Sequence, residues 1–141
     1  MAKELKVVTG TVGEDSHVIG IKLLSRFLIE EGFKVVELGG LTPTDEFIKA
    51  AQETAADAIL VSSLYGMAEF DLVDFKSKCE EVGLDDVLLY LGGNLSIGRH
   101  DFRDDELKFK AMGFDRVYPP EVDLALVVAD LRNDLKDKGK I

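Results

Sequence analysis

The sequence predicts an α/β protein in which five parallel strands form one sheet with helices on both faces. Apolar runs of strand length alternate with helical patterns five times along the 141 residues. These runs are not interrupted by alternating polar residues, which is typical of strands buried on both faces. Glycines follow three of the helical patterns, at Gly32, Gly83 and Gly113, where a left-handed residue commonly ends a helix. A chain of this length fits one domain, so we expect a single domain over 1–141 with a frayed tail at 137–141.

The predicted elements follow one another in regular alternation. The strands are expected at residues 5–9, 34–38, 58–62, 87–91 and 116–118. The helices are expected at residues 18–31, 44–54, 69–82, 104–112 and 122–136. Residues 42–46 offer a capping hydroxyl and early acidic side chains to the second helix. The expected strand order, 2-1-3-4-5, is that of a flavodoxin-like (Rossmann-type) fold, with its topological switch between strands one and three.

Charge and composition exclude several classes of function. The formal charge of −10 leaves the chain without the basic clusters that neutralise phosphates, so we expect no nucleic-acid partner. No apolar stretch approaches the roughly 20 residues of a membrane span, so we expect no membrane partner. Residues 1–4 lack the apolar core of a signal peptide. The single cysteine, Cys79, falls in a helical pattern as a packing residue and cannot form an internal disulfide, which suits a cytoplasmic location.

The predicted topology brings the loops after strands one, three and four to one edge of the sheet, where open α/β sheets bind ligands. These loops carry Gly-Glu-Asp-Ser-His at 13–17, Ser-Ser-Leu-Tyr-Gly at 62–66 and Gly-Gly-Asn-Leu-Ser-Ile-Gly at 92–98. Taken singly, the serines could cap a helix or form a turn, and Tyr65 could be a partly buried aromatic. Paired glycines also let a ligand reach the backbone without meeting a Cβ. The convergence of the three loops favours a binding site for a large ligand.

The run Asp15-x-His17 is the candidate metal site. A carboxylate close to an imidazole can accept one ring N–H, fix the tautomer and direct the other nitrogen at a metal. The alternative is that Asp15 caps the following helix and His17 is solvated. The pattern alone leaves both interpretations open.

Three other uses of this fold fit the same positions poorly. A receiver domain needs a phosphorylatable aspartate after strand three, but that strand ends in serines. A dinucleotide site needs Gly-x-Gly-x-x-Gly in the first turn, whereas residues 9–13 read Thr-Gly-Thr-Val-Gly. A flavin phosphate loop would place an anion against Glu14 and Asp15, which carry charge of the same sign.

Three motifs together carry a resemblance to a known family. They occur in order on the predicted loops: Asp15-x-His17-x-x-Gly20, Ser62-x-Leu64 and Gly92-Gly93. Over nearly its whole length the chain resembles the cobalamin-binding domain of B12-dependent mutases and methionine synthases. It is most similar to the small, cobalamin-binding component of glutamate mutase (methylaspartate mutase). The matching stretches are residues 56–66, 89–94 and 112–118.

The resemblance implies a role for each motif. His17 would bind cobalt from the lower face of the corrin, in place of the cofactor's own dimethylbenzimidazole base, and Asp15 would hydrogen-bond the other imidazole nitrogen. Ser62 or Ser63 would hydrogen-bond the displaced base. The residues implied to contact the cofactor are Glu14, Asp15, Ser16, His17, Val18, Gly20, Ser62, Ser63, Leu64, Gly92, Gly93, Asn94, Leu95, Ser96, Ile97 and Gly98.

The same resemblance implies one half of a two-component enzyme. The cofactor would be adenosylcobalamin, which supplies the radical chemistry. A larger catalytic subunit with a (β/α)₈ barrel of about 250 residues would bind glutamate. The pair would interconvert L-glutamate and threo-3-methylaspartate, with no catalytic residue in this chain. An alternative is a corrinoid methyl carrier of a methyltransferase system, and a third is a cobalamin-responsive interaction module without catalysis.

Overall fold

The structure is a computed structural model that describes residues 5–11, 19–39, 42–63, 72–84, 86–93, 102–119 and 122–140. Within these ranges the strands are β1 (Lys6–Thr11), β2 (Lys34–Glu37), β3 (Ala58–Ser62), β4 (Leu88–Gly92) and β5 (Arg116–Tyr118). The helices there are α1 (Ile19–Glu30), α2 (Thr44–Thr54), α3 (Phe75–Glu81), α4 (Phe102–Ala111) and α5 (Leu124–Asp137). The alternation of strands and helices predicted from the sequence is confirmed.

The five strands pair in parallel in the order β2-β1-β3-β4-β5, so the predicted topology is confirmed. β1 starts opposite β2 with the pair Lys6–Lys34 and ends opposite β3 with the pair Thr11–Ser62. From β1 the chain first adds β2 on one side and then returns to add β3 on the other. The carboxyl ends of β1 and β3 therefore flank the topological switch, where this class of fold binds ligands.

Two apolar clusters cover the two faces of the sheet. One cluster packs Val8, Ile59 and Leu89 against α2, α3 and α4. The other packs Val7 and Leu60 against α1 and α5. Successive strand residues thus point into different clusters while both remain buried, which explains the unbroken apolar runs in the sequence.

Cys79 lies in the first of these clusters, as predicted for a packing residue. Its side chain is fully buried on α3, and burial raises the pKa of its thiol to about 11. The rings of Phe47, Phe75 and Phe114 pack in the same cluster, with centroids 6.2 Å and 6.0 Å apart along the series. Because the thiolate is the reactive form of cysteine, a thiol in this environment is inert at neutral pH.

β1 is longer than the sequence predicted. It continues to Thr11, two residues beyond the predicted end, because both sides of its last residue are paired. On one side the amide of Thr11 donates to the carbonyl of Gly39 at 2.8 Å, and the amide of Thr42 donates to the carbonyl of Thr11 at 3.0 Å. On the other side Thr11 lies opposite Ser62 of β3. Tertiary pairing thus overrides the loop-like appearance of the sequence here.

Helix boundaries agree with the prediction to within a few residues, with two corrections. The N-cap position of α2 is Pro43, which makes no side-chain cap hydrogen bond, and the hydroxyl of the preceding Thr42 donates to the carbonyl of Gly39 at 3.1 Å. For α3, residues 72–74 form a turn and the helix begins at Phe75, whereas a helix was predicted over 69–82; residues 69–71 of that prediction lie outside the described residues. The φ angles of the three predicted helix-ending glycines are +95°, +82° and +110°, as expected, for Gly32, Gly83 and Gly113.

The single-domain boundaries and the frayed tail at 137–141 stay predictions. Within that tail, the ammonium group of Lys140 lies 3.4 Å from a carboxylate oxygen of Asp57, which is buried at the amino edge of the sheet. Within the described residues, no helix combines the length and the apolar character needed to cross a membrane.

Candidate functional site

A cleft of about 150 Å³ lies at the carboxyl edge of the sheet, between β3, β4 and β5 on one side and α1 and α5 on the other. Its lining is mostly apolar and includes Leu24, Leu60, Tyr90, Tyr118, Leu124 and Val127. A cavity of this volume can hold a benzene-sized group. The cleft borders the topological switch through β3 and α1, and a concave apolar pocket near the switch is a usual location of a ligand site in α/β proteins.

Four residues in register form a row across the end of the sheet. Thr11 pairs with Ser62, Ser62 with Gly92, and Gly92 with Tyr118. The last three line the cleft. Ser62 is only partly buried, so its hydroxyl brings hydrogen-bonding capacity to an otherwise apolar wall.

Gly92 and Gly93 bring the backbone itself to the surface of the cleft. A Cβ placed on Gly92 would stand 3.6 Å from the Cβ of Tyr118, so a side chain there would project on the cleft side of the sheet. Gly93 has a φ of +113°, in the left-handed region that favours glycine, and its amide donates to the carbonyl of Tyr118 at 3.3 Å. The pair therefore leaves room for a ligand to lie against the main chain.

Two buried hydroxyls at the same edge have no hydrogen-bond partner among the described residues, namely Thr11 Oγ1 and Ser63 Oγ. Both side chains are fully buried. A buried polar group without a partner costs about 1–3 kcal/mol, so such groups point to a missing partner. The edge thus offers hydroxyls beside an apolar cleft, which suits an uncharged ring system with few polar atoms.

Tyr90 and Tyr118 form the aromatic floor of the cleft. Their ring centroids are 5.8 Å apart and the ring planes are inclined at 60°. Neither hydroxyl donates to a ligand in the cleft, because Tyr118 donates to Asp130 at 2.8 Å and Tyr90 donates to Asp134. Burial, together with these carboxylate acceptors, raises the pKa of both phenols far above the usual range. Both tyrosines are therefore neutral and present ring surface to a ligand.

The structure places the predicted site residues in three groups. Ser62, Gly92 and Gly93 line the cleft, Ser63 is buried next to it without lining it, and Gly20 lies in the first turn of α1. The other predicted contacts lie outside the described residues, including the predicted cobalt ligand: Glu14, Asp15, Ser16, His17, Val18, Leu64, Asn94, Leu95, Ser96, Ile97 and Gly98. Their roles stay predictions.

The aromatic floor and the helical wall of the cleft were not predicted from the sequence. Tyr90 and Tyr118 were assigned to strands, and Val127 to a helix, without a role at the site. One signal was available for Tyr90. It lies two residues before Gly92 on the same strand, so the two residues face the same side of the sheet.

Comparison with known proteins decides the family. Residues 5–115 match the B12 binding domain family. The glutamate mutase sigma subunit of Carboxydothermus hydrogenoformans is 53% identical over 133 residues, which cover 94% of this chain and 97% of that protein. The glutamate mutase sigma subunit of Treponema denticola is 46% identical over 137 residues, which cover 97% and 99%. The chain belongs to the glutamate mutase sigma subunit family.

A solved structure supports the fold of this sigma subunit family member. A cobalamin-binding protein from Desulfitobacterium hafniense DCB-2 superposes with a TM-score of 0.76 at 21% identity, covering 93% of this chain. The chain spans 59% of the length of that protein, and at this identity the likeness concerns the fold alone. The B12-binding family and the flavodoxin-like sheet predicted from the sequence are both confirmed.

Proposed function

We propose that this chain is the cobalamin-binding subunit of a glutamate mutase and that it presents adenosylcobalamin to a larger catalytic subunit. Two independent findings support the proposal. Relatives about half identical over nearly the whole chain are glutamate mutase sigma subunits. The carboxyl edge of the sheet bears a cleft lined by Ser62, Gly92 and Gly93, three of the residues implied by the B12-binding motifs. One observation carries the proposal: motif residues line a cleft in a chain whose relatives are glutamate mutase sigma subunits.

The cleft suits the base at the end of the cobalamin tail. Dimethylbenzimidazole is a flat, uncharged and mostly apolar ring system, and the cleft offers apolar walls and an aromatic floor to one benzene-sized part of it. The hydroxyl of Ser62 can donate to the ring nitrogen that becomes free when the base leaves cobalt. Gly92 and Gly93 let the rest of the tail lie against the backbone. The hydroxyls of Thr11 and Ser63, for which the described part of the chain supplies no partner, also fit an edge that receives a ligand with polar groups.

His17 would bind the cobalt, and Asp15 would orient the imidazole of His17. Neutral imidazole is the commonest protein ligand of metals, and a carboxylate on its other N–H fixes the tautomer and raises its basicity. Both residues belong to the segment between the end of β1 at Thr11 and the start of α1 at Ile19. That segment follows the strand whose carboxyl end flanks the topological switch, which supports a ligand-binding role for it.

The work divides between the two subunits. When bound, adenosylcobalamin supplies radical chemistry through its cobalt–carbon bond. The residues of this chain bind the cofactor, orient it and exclude water from its lower side. We place the residues that bind glutamate on the catalytic subunit, a (β/α)₈ barrel of about 250 residues, so that the assembled enzyme interconverts L-glutamate and threo-3-methylaspartate.

Titration of the full chain with adenosylcobalamin tests the proposal. We expect the wild-type chain to give the absorption spectrum of cobalamin whose base has been replaced by histidine. We expect His17→Ala to lose that spectrum and His100→Ala, the matched control at the other histidine, to keep it. Addition of the catalytic subunit and L-glutamate is expected to yield methylaspartate. A spectrum of free cofactor at saturating protein with the catalytic subunit present would contradict the proposal.

The corrinoid methyl carrier, the alternative considered from the sequence, is not better supported, because the relatives above are named as mutase subunits. The same assay separates the two functions. A carrier would bind the corrinoid but form no methylaspartate with the mutase catalytic subunit.

A further inference from the structure

A polar network lies next to the cleft, toward the amino end of β5. At its centre the guanidinium of Arg116 donates two hydrogen bonds to Asp134 of α5, from Nε at 2.7 Å and from Nη2 at 2.9 Å. Its Nη1 lies 3.5 Å from a carboxylate oxygen of Asp130. Tyr90 and Tyr118 donate their hydroxyls to the same two carboxylates. The network therefore joins β4, β5 and α5, three of the elements that enclose the cleft.

The geometry of the Arg116–Asp134 pair is restrictive. A two-point contact between guanidinium and carboxylate fixes orientation as well as distance. The Asp134 side chain is 18% exposed and the Arg116 side chain 38%, so solvent screens the pair in part, but less than it screens a fully exposed ion pair. The hydrogen bond from Arg116 holds the pKa of Asp134 below its usual value, and the pair stays charged at neutral pH.

Helix α5 carries this constraint to the wall of the cleft. Val127 lines the cleft, and Asp130 and Asp134 follow it at helical spacing on the same face. Fixing α5 at Asp134 therefore sets how far Val127 stands from the sheet. The fully buried Leu131 and Leu135 keep the helix docked by apolar contact, so the network adjusts the position of the helix rather than its attachment.

We propose that the Arg116–Asp134 pair is a positioning device for the cleft, which holds α5 and the ring of Tyr90 at the separation that the nucleotide tail of cobalamin requires. The inference rests on the proposed function, because the tail enters the cleft only if the chain binds cobalamin. Neither member of the pair lines the cleft. Without the pair, wall and floor are free to shift, and part of the binding free energy is spent on ordering them again.

Two corrinoids separate this role from general stability. Cobalamin carries the nucleotide tail and cobinamide lacks it, so the width of the cleft affects only the first. For Asp134→Asn we expect the dissociation constant of cobalamin to rise about tenfold, while that of cobinamide stays at the wild-type value. Tyr90→Phe keeps the ring and removes the hydroxyl, and we expect a smaller loss of the same kind. Asp137→Asn, at an exposed carboxylate of the same helix, is the matched control and is expected to bind both ligands normally.

The ratio of the two dissociation constants decides the outcome. An unchanged ratio in Asp134→Asn, through no loss or through equal loss for both ligands, overturns the inference, because the pair then has no specific effect on the cleft. A wild-type chain that binds neither corrinoid overturns the proposed function and this inference with it. If Asp134→Asn does not fold, Tyr90→Phe decides by the same ratio.

Discussion

Two glycine-to-alanine changes on opposite faces of the sheet separate binding from folding. Gly92 faces the cleft, and an added Cβ there would meet its nearest atom, the Cβ of Tyr118, at an ordinary 3.6 Å. Gly10 faces the other cluster, where an added Cβ would stand 2.9 Å from Cζ of Phe47 and 3.2 Å from Cβ of Leu38. Phe47 is fully buried in a close-packed core and cannot easily give way. We therefore expect Gly92→Ala to fold and to bind cobalamin poorly, and Gly10→Ala to fold less stably and to bind normally when folded.

The magnitudes follow from packing. Overpacking at Gly10 costs about 1–3 kcal/mol, and the stiffer unfolded chain returns about 0.4–1 kcal/mol. The net loss of roughly 1 kcal/mol lowers Tm by about 3 °C for a chain of this size. At Gly92 the change meets no clash in the free protein, so Tm is expected to hold or rise slightly. The cost of the extra methyl group then falls on the complex, at about 1–3 kcal/mol, which raises the dissociation constant of cobalamin by about 5- to 140-fold.

Thermal unfolding and spectroscopic titration of both variants measure these effects. Wild-type affinity in Gly92→Ala would refute the reasoning, because the cleft could not then be the place where the tail binds. A loss of affinity in Gly10→Ala as large as that in Gly92→Ala would refute it as well, since the two faces would not be independent.

Three further predictions concern the rest of the molecule. Burial raises the pKa of the Cys79 thiol to about 11, so we expect a disulfide reagent to react with it at pH 8 only after denaturant unfolds the chain; rapid reaction of the native protein would contradict this. Gly113 has a φ of +110°, and an added Cβ would stand 2.6 Å from the Cβ of Lys76. Gly113→Ala is therefore expected to lower the free energy of unfolding by about 1–3 kcal/mol. Denaturant titration measures this change, and an unchanged midpoint would contradict the prediction. The lowered pKa of Asp134, caused first by the hydrogen bond from Arg116, implies stabilisation that is complete above the unfolded-state pKa of about 4 and is lost as pH falls through the folded-state value. The difference in unfolding free energy between wild type and Asp134→Asn is thus expected to shrink from pH 7 to pH 3, and an equal difference at both values would disprove the linkage.

The sequence predicted the topology because the central strands β3 and β4 are almost entirely apolar and three of the helices end at a glycine. The end of β1 was not predicted, because Gly10 and Thr11 look like the start of a loop. In the structure both residues are strand, and the absence of a side chain at Gly10 lets Phe47 pack against the strand. Gly10 is therefore needed for packing, and only its contact with Phe47 in the folded protein reveals this.

The site was predictable where it depends on strand ends and unpredictable where it depends on register. Ser62, Gly92 and Gly93 were expected at the carboxyl edge because they follow apolar runs, and they line the cleft. Tyr90 and Tyr118 are far apart in sequence and become neighbours only through the pairing of β4 with β5. No local pattern could bring those two rings together.

The aromatic floor also gives this protein a built-in optical probe. The chain has three tyrosines and no tryptophan, and two of the three form that floor. Two of its three tyrosine chromophores therefore lie where the tail is proposed to bind. A coloured macrocycle bound there would quench the tyrosine emission by energy transfer, so that its binding can be followed in real time without a label.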